Sequence, residues 1–85
     1  MANKILLIDD DITLQLALTD VLEFEGYEIL KADNGQEGLE IATQTVLDLI
    51  ICDYRMPEMD GYTLTAEVKG NERMKKMPII LHTSL

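Results

Sequence analysis

The sequence predicts an α/β fold with a parallel sheet, because short apolar runs alternate with amphipathic segments that have helical spacing. Continuous apolar runs occur at Ile5–Ile8, Leu49–Cys52 and Ile79–Leu81, which is typical of strands that are buried on both faces. The more mixed run Tyr27–Ala32 suits a strand at the edge of the sheet. The predicted order is therefore β-α-β-α-β-α-β, with right-handed crossovers between the parallel strands.

The first predicted helix carries an apolar stripe with helical spacing, formed by Leu14, Ala17, Leu18, Val21 and Leu22. Gly26 follows this stripe and is expected to end the helix in the left-handed conformation. The second helix is predicted to begin at Asn34, with Glu37 three residues later as in a capping box. We expect this helix to bury its apolar positions, which are Leu39, Ala42 and Val46.

The third predicted helix begins near Asp60-Gly61 and ends around Gly70-Asn71. It is expected to bury Leu64 and Val68, which lie four residues apart and therefore on the same face. Pro78 separates this segment from the last apolar run.

Composition limits the chain to one small, globular domain of 85 residues, 47% of them hydrophobic. Sixteen acidic and seven basic residues give a net charge of −9, which argues against direct binding to nucleic acid. The single cysteine, Cys52, excludes an internal disulfide. No secretory signal or apolar stretch of membrane-spanning length occurs, so we expect a cytoplasmic protein that does not bind membranes.

Aspartates stand at the ends of two predicted buried strands. Asp9, Asp10 and Asp11 follow the first apolar run, and Asp53 follows Leu49–Cys52. In open α/β sheets, ligands bind outside the carboxyl ends of the strands, where these side chains would meet. Carboxylates about 4 Å apart repel one another by roughly 4 kcal/mol at an effective dielectric near 20. A cluster that stays ionised favours a hard cation with oxygen ligands, and Mg²⁺ is the expected one.

Three separate segments resemble the receiver domain of two-component response regulators. They are Ile5–Asp10, the run 53–61 and Ile79–Ser84. The run 53–61 reads D-x-x-M-P-x-M-D-G and fits the family pattern at every fixed position. The resemblance extends over the whole chain, and it implies a flavodoxin-like, doubly wound parallel sheet with strand order 2-1-3-4 that lacks the fifth βα unit.

The resemblance also implies a role for particular residues. Asp53 aligns with the phosphoacceptor, which takes a phosphoryl group from a sensor histidine kinase or a phosphotransfer protein. Asp9 and Asp10 align with the acidic pair that holds Mg²⁺ together with Asp53 and the backbone carbonyl of Arg55. Thr83 aligns with the hydroxyl residue that senses the phosphoryl group. Such a domain is a signalling phosphoacceptor, which catalyses only its own phosphorylation and dephosphorylation.

The sequence departs from the family at its C-terminal end, because it stops soon after the fourth predicted strand. The family has five βα units, and a lysine at the end of the fifth strand pairs with the phosphoryl group. Neither Lys75 nor Lys76 can take that role, since both precede the fourth strand. We therefore expect residues 1–85 to be a C-terminally incomplete receiver domain. Its apolar last strand, Ile79–Leu81, would be covered by a missing segment or by self-association.

Two alternative functions remain open from the sequence. One is a receiver-like interaction module that no longer accepts phosphate, which the absent lysine favours. The other is a fragment of a haloacid dehalogenase-type phosphatase, because residues 9–13 also satisfy D-x-D-x-T. Asp9 would then be the nucleophile and Asp11 the acid/base. A helix that begins directly after the aspartates leaves no room for the flap of that family.

Overall fold

The computed structural model of the protein describes residues 3–53, 61–72 and 74–82. The predicted alternation of strands and helices is confirmed. The strands are β1 (Lys4–Ile8), β2 (Glu28–Ala32), β3 (Leu49–Asp53) and β4 (Ile79–His82). The helices are α1 (Ile12–Phe24), α2 (Gly35–Gln44) and α3 (Gly61–Lys69).

The four strands form one parallel sheet in the predicted order β2-β1-β3-β4. Ile8 in β1 pairs with Ala32 in β2 and with Cys52 in β3, so these three strands end at the same level. Asp53 pairs with His82, which brings the end of β4 to this level as well. As the mixed pattern of its sequence predicted, β2 lies at an edge of the sheet.

Across residues 3–53, 61–72 and 74–82, none of the helices has the length and apolar character needed to cross a membrane.

The main hydrophobic core lies on the face of the sheet that α2 and α3 cover. Alternate strand residues point into it, namely Leu6, Ile8, Ile50 and Cys52. Ala42 from α2 packs there with Leu64 and Val68 from α3, as the helical spacing predicted. The helix α2 approaches β1 closely at Gly38, where a Cβ atom would lie only 2.8 Å from Cγ1 of Ile8. The glycine therefore allows the close contact between this helix and the sheet.

Local side-chain and backbone features fix the starts of the first two helices and the end of the first. Asp11 caps α1, because its Oδ1 accepts a hydrogen bond from the backbone N–H of Leu14 at 3.2 Å. Asn34 caps α2 in the same way, with the N–H of Glu37 donating to its Oδ1 at 2.9 Å. Gly26 has a φ of 98°, which confirms the predicted left-handed residue after α1.

The buried face of α1 differs from the predicted apolar stripe. Ala17 and Val21 are exposed, and Leu14, Leu18 and Leu22 are only half-buried. The most buried residues of α1 are instead Gln15 and Thr19, each 4% exposed. Helical spacing alone could not predict this rotation, because it depends on hydrogen bonds that satisfy the two polar side chains. Thr19 Oγ1 donates to the backbone carbonyl of Gln15 at 2.7 Å, and the contacts of Gln15 are described below.

The prediction that Val46 is buried with α2 was wrong. The helix ends at Gln44, and Thr45 already has an extended backbone. Val46 therefore leaves the helical face and is 85% exposed, whereas the next residue, Leu47, is 7% exposed and belongs to the core.

The other face of the sheet is only partly covered by α1. Ile5 is buried beside this helix, but Ile51 is half-buried and Ile80 is 51% exposed. A groove on this face is lined mainly by these three isoleucines with Leu22 and Tyr27. Within the described part of the chain, only the core-facing side of β4 is covered, and the cover expected for its other side stays a prediction.

Candidate functional site

Three carboxylates meet at the carboxyl-terminal edge of the sheet. Asp9 and Asp10 directly follow β1, and Asp53 is the last residue of β3. The parallel pairing of Ile8 with Cys52 brings the residues that follow them, Asp9 and Asp53, to the same level. One carboxylate oxygen from each of Asp9, Asp10 and Asp53 lies within 4.8 Å of the other two. The sequence prediction of an acidic cluster at this edge is thus confirmed in geometry.

The three side chains differ in their exposure to solvent. Asp9 is fully buried and Asp53 is 1% exposed, whereas Asp10 is exposed. Two carboxylates therefore form the floor of the cluster and the third lies at its rim. A ligand that reaches the cluster from solvent would meet Asp10 first and then the buried pair.

Hydrogen bonds hold the main chain of Asp9 in place. Its backbone N–H donates to the carbonyl of Ala32 at 3.1 Å, which extends the pairing of β1 with β2 by one residue. Its Oδ1 accepts from the backbone N–H of Asp11 at 2.8 Å. Its carbonyl accepts from Nε2 of Gln15 at 3.2 Å. The segment that carries the acidic pair is therefore fixed by contacts to β2 and to α1.

Asp11 has a different role from its two neighbours. Its side chain caps α1, which begins at the next residue, Ile12. It does not belong to the group of carboxylates that could share a metal ion. This arrangement also argues against the phosphatase alternative, since the carboxylate proposed as an acid/base is bonded to the helix.

The donor set of the cluster fits a hard divalent cation. All three groups supply carboxylate oxygens, which Mg²⁺ and Ca²⁺ prefer, and they converge from two strands. At a separation of 4.8 Å, two unit charges repel by about 3.5 kcal/mol at an effective dielectric of 20. A cation among the carboxylates of Asp9, Asp10 and Asp53 would turn this repulsion into attraction. Mg²⁺ requires few protein ligands because it keeps several waters, which suits a cluster with one exposed side.

Two of the predicted site residues lie outside the described residues. They are Arg55, expected to offer its backbone carbonyl, and Thr83, expected to sense the phosphoryl group. Thr83 directly follows β4, whose last residue, His82, pairs with Asp53.

Sequence reasoning did not identify Gln15, which contacts the segment that carries the acidic pair. Its position between apolar residues of a helix favours an exposed side chain. The sequence signal that could have identified Gln15 is its spacing, because it stands four residues, or about one helical turn, after the capping residue Asp11. In the structure, the N–H of Gln15 donates to the carbonyl of Asp11 at 2.9 Å. A side chain in that first turn lies close to the end of the preceding strand.

Comparison with known proteins supports the same family as the motifs. The family model of the response regulator receiver domain matches residues 5–85. The transcriptional regulatory protein SrrA of Staphylococcus aureus is 37% identical over 84 residues, which cover 99% of this chain and 34% of SrrA. The chain spans 34% of the length of SrrA and 67% of the length of the protein PilH of Pseudomonas aeruginosa.

Two solved structures with magnesium in their descriptions have the same fold. The response regulator TrrA of Thermotoga maritima, in complex with Mg²⁺-BeF, gives a TM-score of 0.90 at 35% identity, covering 98% of this chain and 70% of that one. The receiver domain of the sensor histidine kinase PA1611 of Pseudomonas aeruginosa gives 0.91 at 30% identity, covering 95% and 66%. The latter is described with a magnesium ion coordinated in its active site cleft.

Proposed function

Because this chain belongs to the response regulator receiver family, we propose that Asp53 accepts a phosphoryl group from a phosphohistidine of a sensor histidine kinase or a phosphotransfer protein. The observation that carries this proposal is the grouping of Asp53 with Asp9 and Asp10 at the carboxyl-terminal edge of the sheet. Receiver domains of this family are signalling modules of two-component systems, and the proposed reaction serves signalling rather than turnover of a metabolite.

The chemistry assigned to Asp53 is nucleophilic attack by a carboxylate oxygen on phosphorus. The new bond joins this oxygen to phosphorus, and the bond between phosphorus and the histidine nitrogen breaks. The electron pair of that bond stays on the imidazole. A carboxylate is an adequate nucleophile when the phosphorus is held in line and its oxygens are neutralised. Asp53 is the last residue of β3 and pairs with His82 of β4, so the sheet holds the backbone that carries this carboxylate.

The metal of this proposal is Mg²⁺, held by the carboxylates of Asp9, Asp10 and Asp53 and by the backbone carbonyl of Arg55. When bound, Mg²⁺ neutralises charge on the oxygens of the phosphoryl group. Following what the resemblance to the receiver family implies, we assign Asp10 to direct contact with the ion and Asp9 to contact mainly through water. The grouping of the carboxylates of Asp9, Asp10 and Asp53 supports the assignment of Mg²⁺. Two structures of the same fold, those of TrrA and of the PA1611 receiver domain, contain magnesium and support it as well.

Phosphorylation of Asp53 would act as a conformational signal. The acyl phosphate adds negative charge and strong acceptor oxygens at the edge of the sheet. We assign Thr83 as the hydroxyl residue that moves to meet these oxygens, because it follows β4 in the sequence next to the partner of Asp53. Movement of such a residue shifts the surface near it between two states. We further propose that the protein works in the cytoplasm, where sensor kinases present their phosphohistidines.

A test of this proposal is phosphorylation of the 85-residue chain by a small-molecule phosphodonor with Mg²⁺, followed by intact mass measurement. We expect the mass of one phosphoryl group to be added to the wild type and to Asp11→Asn, and none to Asp53→Asn. Asp11→Asn is the matched control, because asparagine keeps the helix cap beside the cluster while one charge is removed.

Two other outcomes would contradict the phosphoacceptor role of Asp53. Retention of the added mass in Asp53→Asn, together with its loss in Asp9→Asn, would instead support the phosphatase alternative. A folded wild type that takes up no phosphoryl group at any Mg²⁺ concentration would refute the phosphoacceptor role. An interaction module that does not accept phosphate would then be the remaining function.

We also propose that the partly covered face of the sheet is completed by other residues, either a C-terminal continuation or a second copy of the chain. Ile80 and Ile51 line an apolar groove there, and β4 has an unpaired edge among the described residues. Exposed apolar edges favour strand addition. Light scattering of the 85-residue chain should therefore show dimers or larger species, and Ile80→Lys should reduce them. A wild type that stays monomeric and unfolds cooperatively at high dilution would contradict the need for this cover.

A further inference from the structure

Gln15 is a polar side chain buried next to the acidic cluster. It is the fourth residue of α1, at the end of the first turn, and is only 4% exposed. Its Nε2 lies 3.2 Å from the backbone carbonyl of Asp9 and 3.1 Å from that of Ala32. The carboxylate Oδ1 of Asp33 is more distant, at 3.4 Å. Because all three neighbours are acceptors, the amide nitrogen and not the amide oxygen must face them.

These contacts join the end of β1, the end of β2 and the start of α1. The carbonyl of Ala32 accepts both from Gln15 and from the backbone N–H of Asp9. The N–H and the carbonyl of Asp9 are therefore both held, the first by Ala32 and the second by Gln15. Fixing both peptide groups of a residue fixes the direction of its Cα–Cβ bond. The direction in which the Asp9 side chain leaves the backbone thus depends in part on the amide of Gln15, while its Oδ1 is held by the N–H of Asp11.

The hydrogen bonds that hold the main chain of Asp9 oppose the repulsion among the three carboxylates. The segment that contains Asp9 and Asp10 follows β1, where the main sheet pairing has ended. Without a restraint, the like charges of Asp9, Asp10 and Asp53 would move apart before a cation arrives. A site that is already arranged binds its ligand more tightly, because less ordering is needed on binding.

We propose that Gln15 is a positioning residue for divalent cation binding, which holds the main chain of Asp9 so that the three carboxylates stay together. The inference rests on the proposed function, since it concerns the same acidic cluster. Gln15 has no contact with the cation in this role and acts only through Asp9. In known metal sites, removal of a residue that orients a ligand lowers affinity by about 10–100-fold. Because Gln15 acts on the backbone of a ligand, we expect a loss near the lower limit, about tenfold.

The test compares Mg²⁺ affinity in two variants of the same helix face. Gln15→Met keeps the length of the side chain and removes the donor, and Thr19→Val removes a buried hydrogen bond one turn further along α1. Thr19 is equally buried, but its hydroxyl donates within the helix and not to the segment of Asp9. Amide NMR shifts of the 85-residue chain, followed during addition of Mg²⁺, give the dissociation constant without any phosphorylation step.

We expect Gln15→Met to raise the dissociation constant for Mg²⁺ about tenfold, and Thr19→Val to leave it within about twofold of the wild type. A purely structural role would lower the stability of both variants and leave both affinities unchanged, which would overturn the proposal. Where Gln15→Met does not fold, Gln15→Asn takes its place, because it keeps the amide but is too short to reach both carbonyls. Gln15→Asn must then bind Mg²⁺ more weakly than Thr19→Val, and equal affinities would overturn the proposal.

The experiments distinguish failure of the positioning role of Gln15 from failure of the proposed phosphoacceptor function. A wild type that takes up phosphate on Asp53 with Mg²⁺, while Gln15→Met binds Mg²⁺ normally, overturns only the positioning role. A wild type that binds no Mg²⁺ overturns both proposals, because Gln15 would then have no site to position.

Discussion

Replacement of Asp10 by asparagine should have opposite effects on stability in the absence and in the presence of Mg²⁺. Asp10 has two carboxylate neighbours, Asp9 and Asp53, whose oxygens lie within 4.8 Å. At this distance each pair repels by about 3.5 kcal/mol at an effective dielectric of 20 and by about 0.9 kcal/mol in bulk water. Since Asp10 is exposed, the lower figure applies more closely. Removal of the Asp10 charge should therefore remove about 1–2 kcal/mol of repulsion from its two neighbours together.

Urea unfolding followed by circular dichroism measures both effects. With a chelator present, Asp10→Asn should raise the free energy of unfolding by about 1–2 kcal/mol. For the wild type, Mg²⁺ at several-fold to tens-fold above its dissociation constant should add about 1–2 kcal/mol, and Asp10→Asn should lose most of this gain. The matched control is Asp20→Asn, an exposed carboxylate of α1 that lies outside the cluster and changes the net charge equally.

The result that would refute this reasoning is specific. Equal shifts for Asp10→Asn and Asp20→Asn in the chelator would mean that only the net charge of −9 matters. An undiminished gain from Mg²⁺ in Asp10→Asn would mean that this carboxylate is not part of the metal site.

Two further predictions concern packing, and urea unfolding measures both. Gly38→Ala should lower the free energy of unfolding by about 1–3 kcal/mol, because the new methyl group overlaps the side chain of Ile8. Adding Ile8→Val should recover part of this loss, and a Gly38→Ala variant as stable as the wild type would contradict the close contact. Leu47→Ala should cost about 2–5 kcal/mol, whereas Val46→Ala should change stability by less than about 0.5 kcal/mol. The reverse order would contradict the assignment of Leu47 to the core.

Much of the fold could be predicted because its signals are local in the sequence. Apolar runs located the strands, and the residues Asn34 and Gly26 marked where helices begin and end. The acidic cluster followed from one general property of parallel sheets, that strand ends of one polarity meet at one edge. Asp9, Asp10 and Asp53 could therefore be grouped without knowledge of any contact.

The errors arose where the outcome depends on non-local contacts. Helical spacing predicted Val46 as part of a buried face, but the helix ends two residues earlier and the chain turns. The same spacing placed Ala17 and Val21 against the sheet, whereas α1 is rotated toward Gln15 and Thr19. Gln15 could be buried only because two carbonyls at strand ends accept its hydrogen bonds, and no pattern within α1 contains that information.

Asp9 and Asp10 also differ in how cleanly their electrostatic role can be separated from folding. Asp9 is fully buried, and its carboxylate accepts from the backbone N–H of Asp11 while its main chain joins β2 and α1. A change at Asp9 therefore mixes relief of repulsion with loss of a charge-assisted hydrogen bond, and the sign of its effect on stability depends on both. Asp10 is exposed, so its replacement changes mainly the charge. The repulsion that a cation must offset is consequently best measured at Asp10, and the restraint that keeps the cluster together is best measured at Gln15.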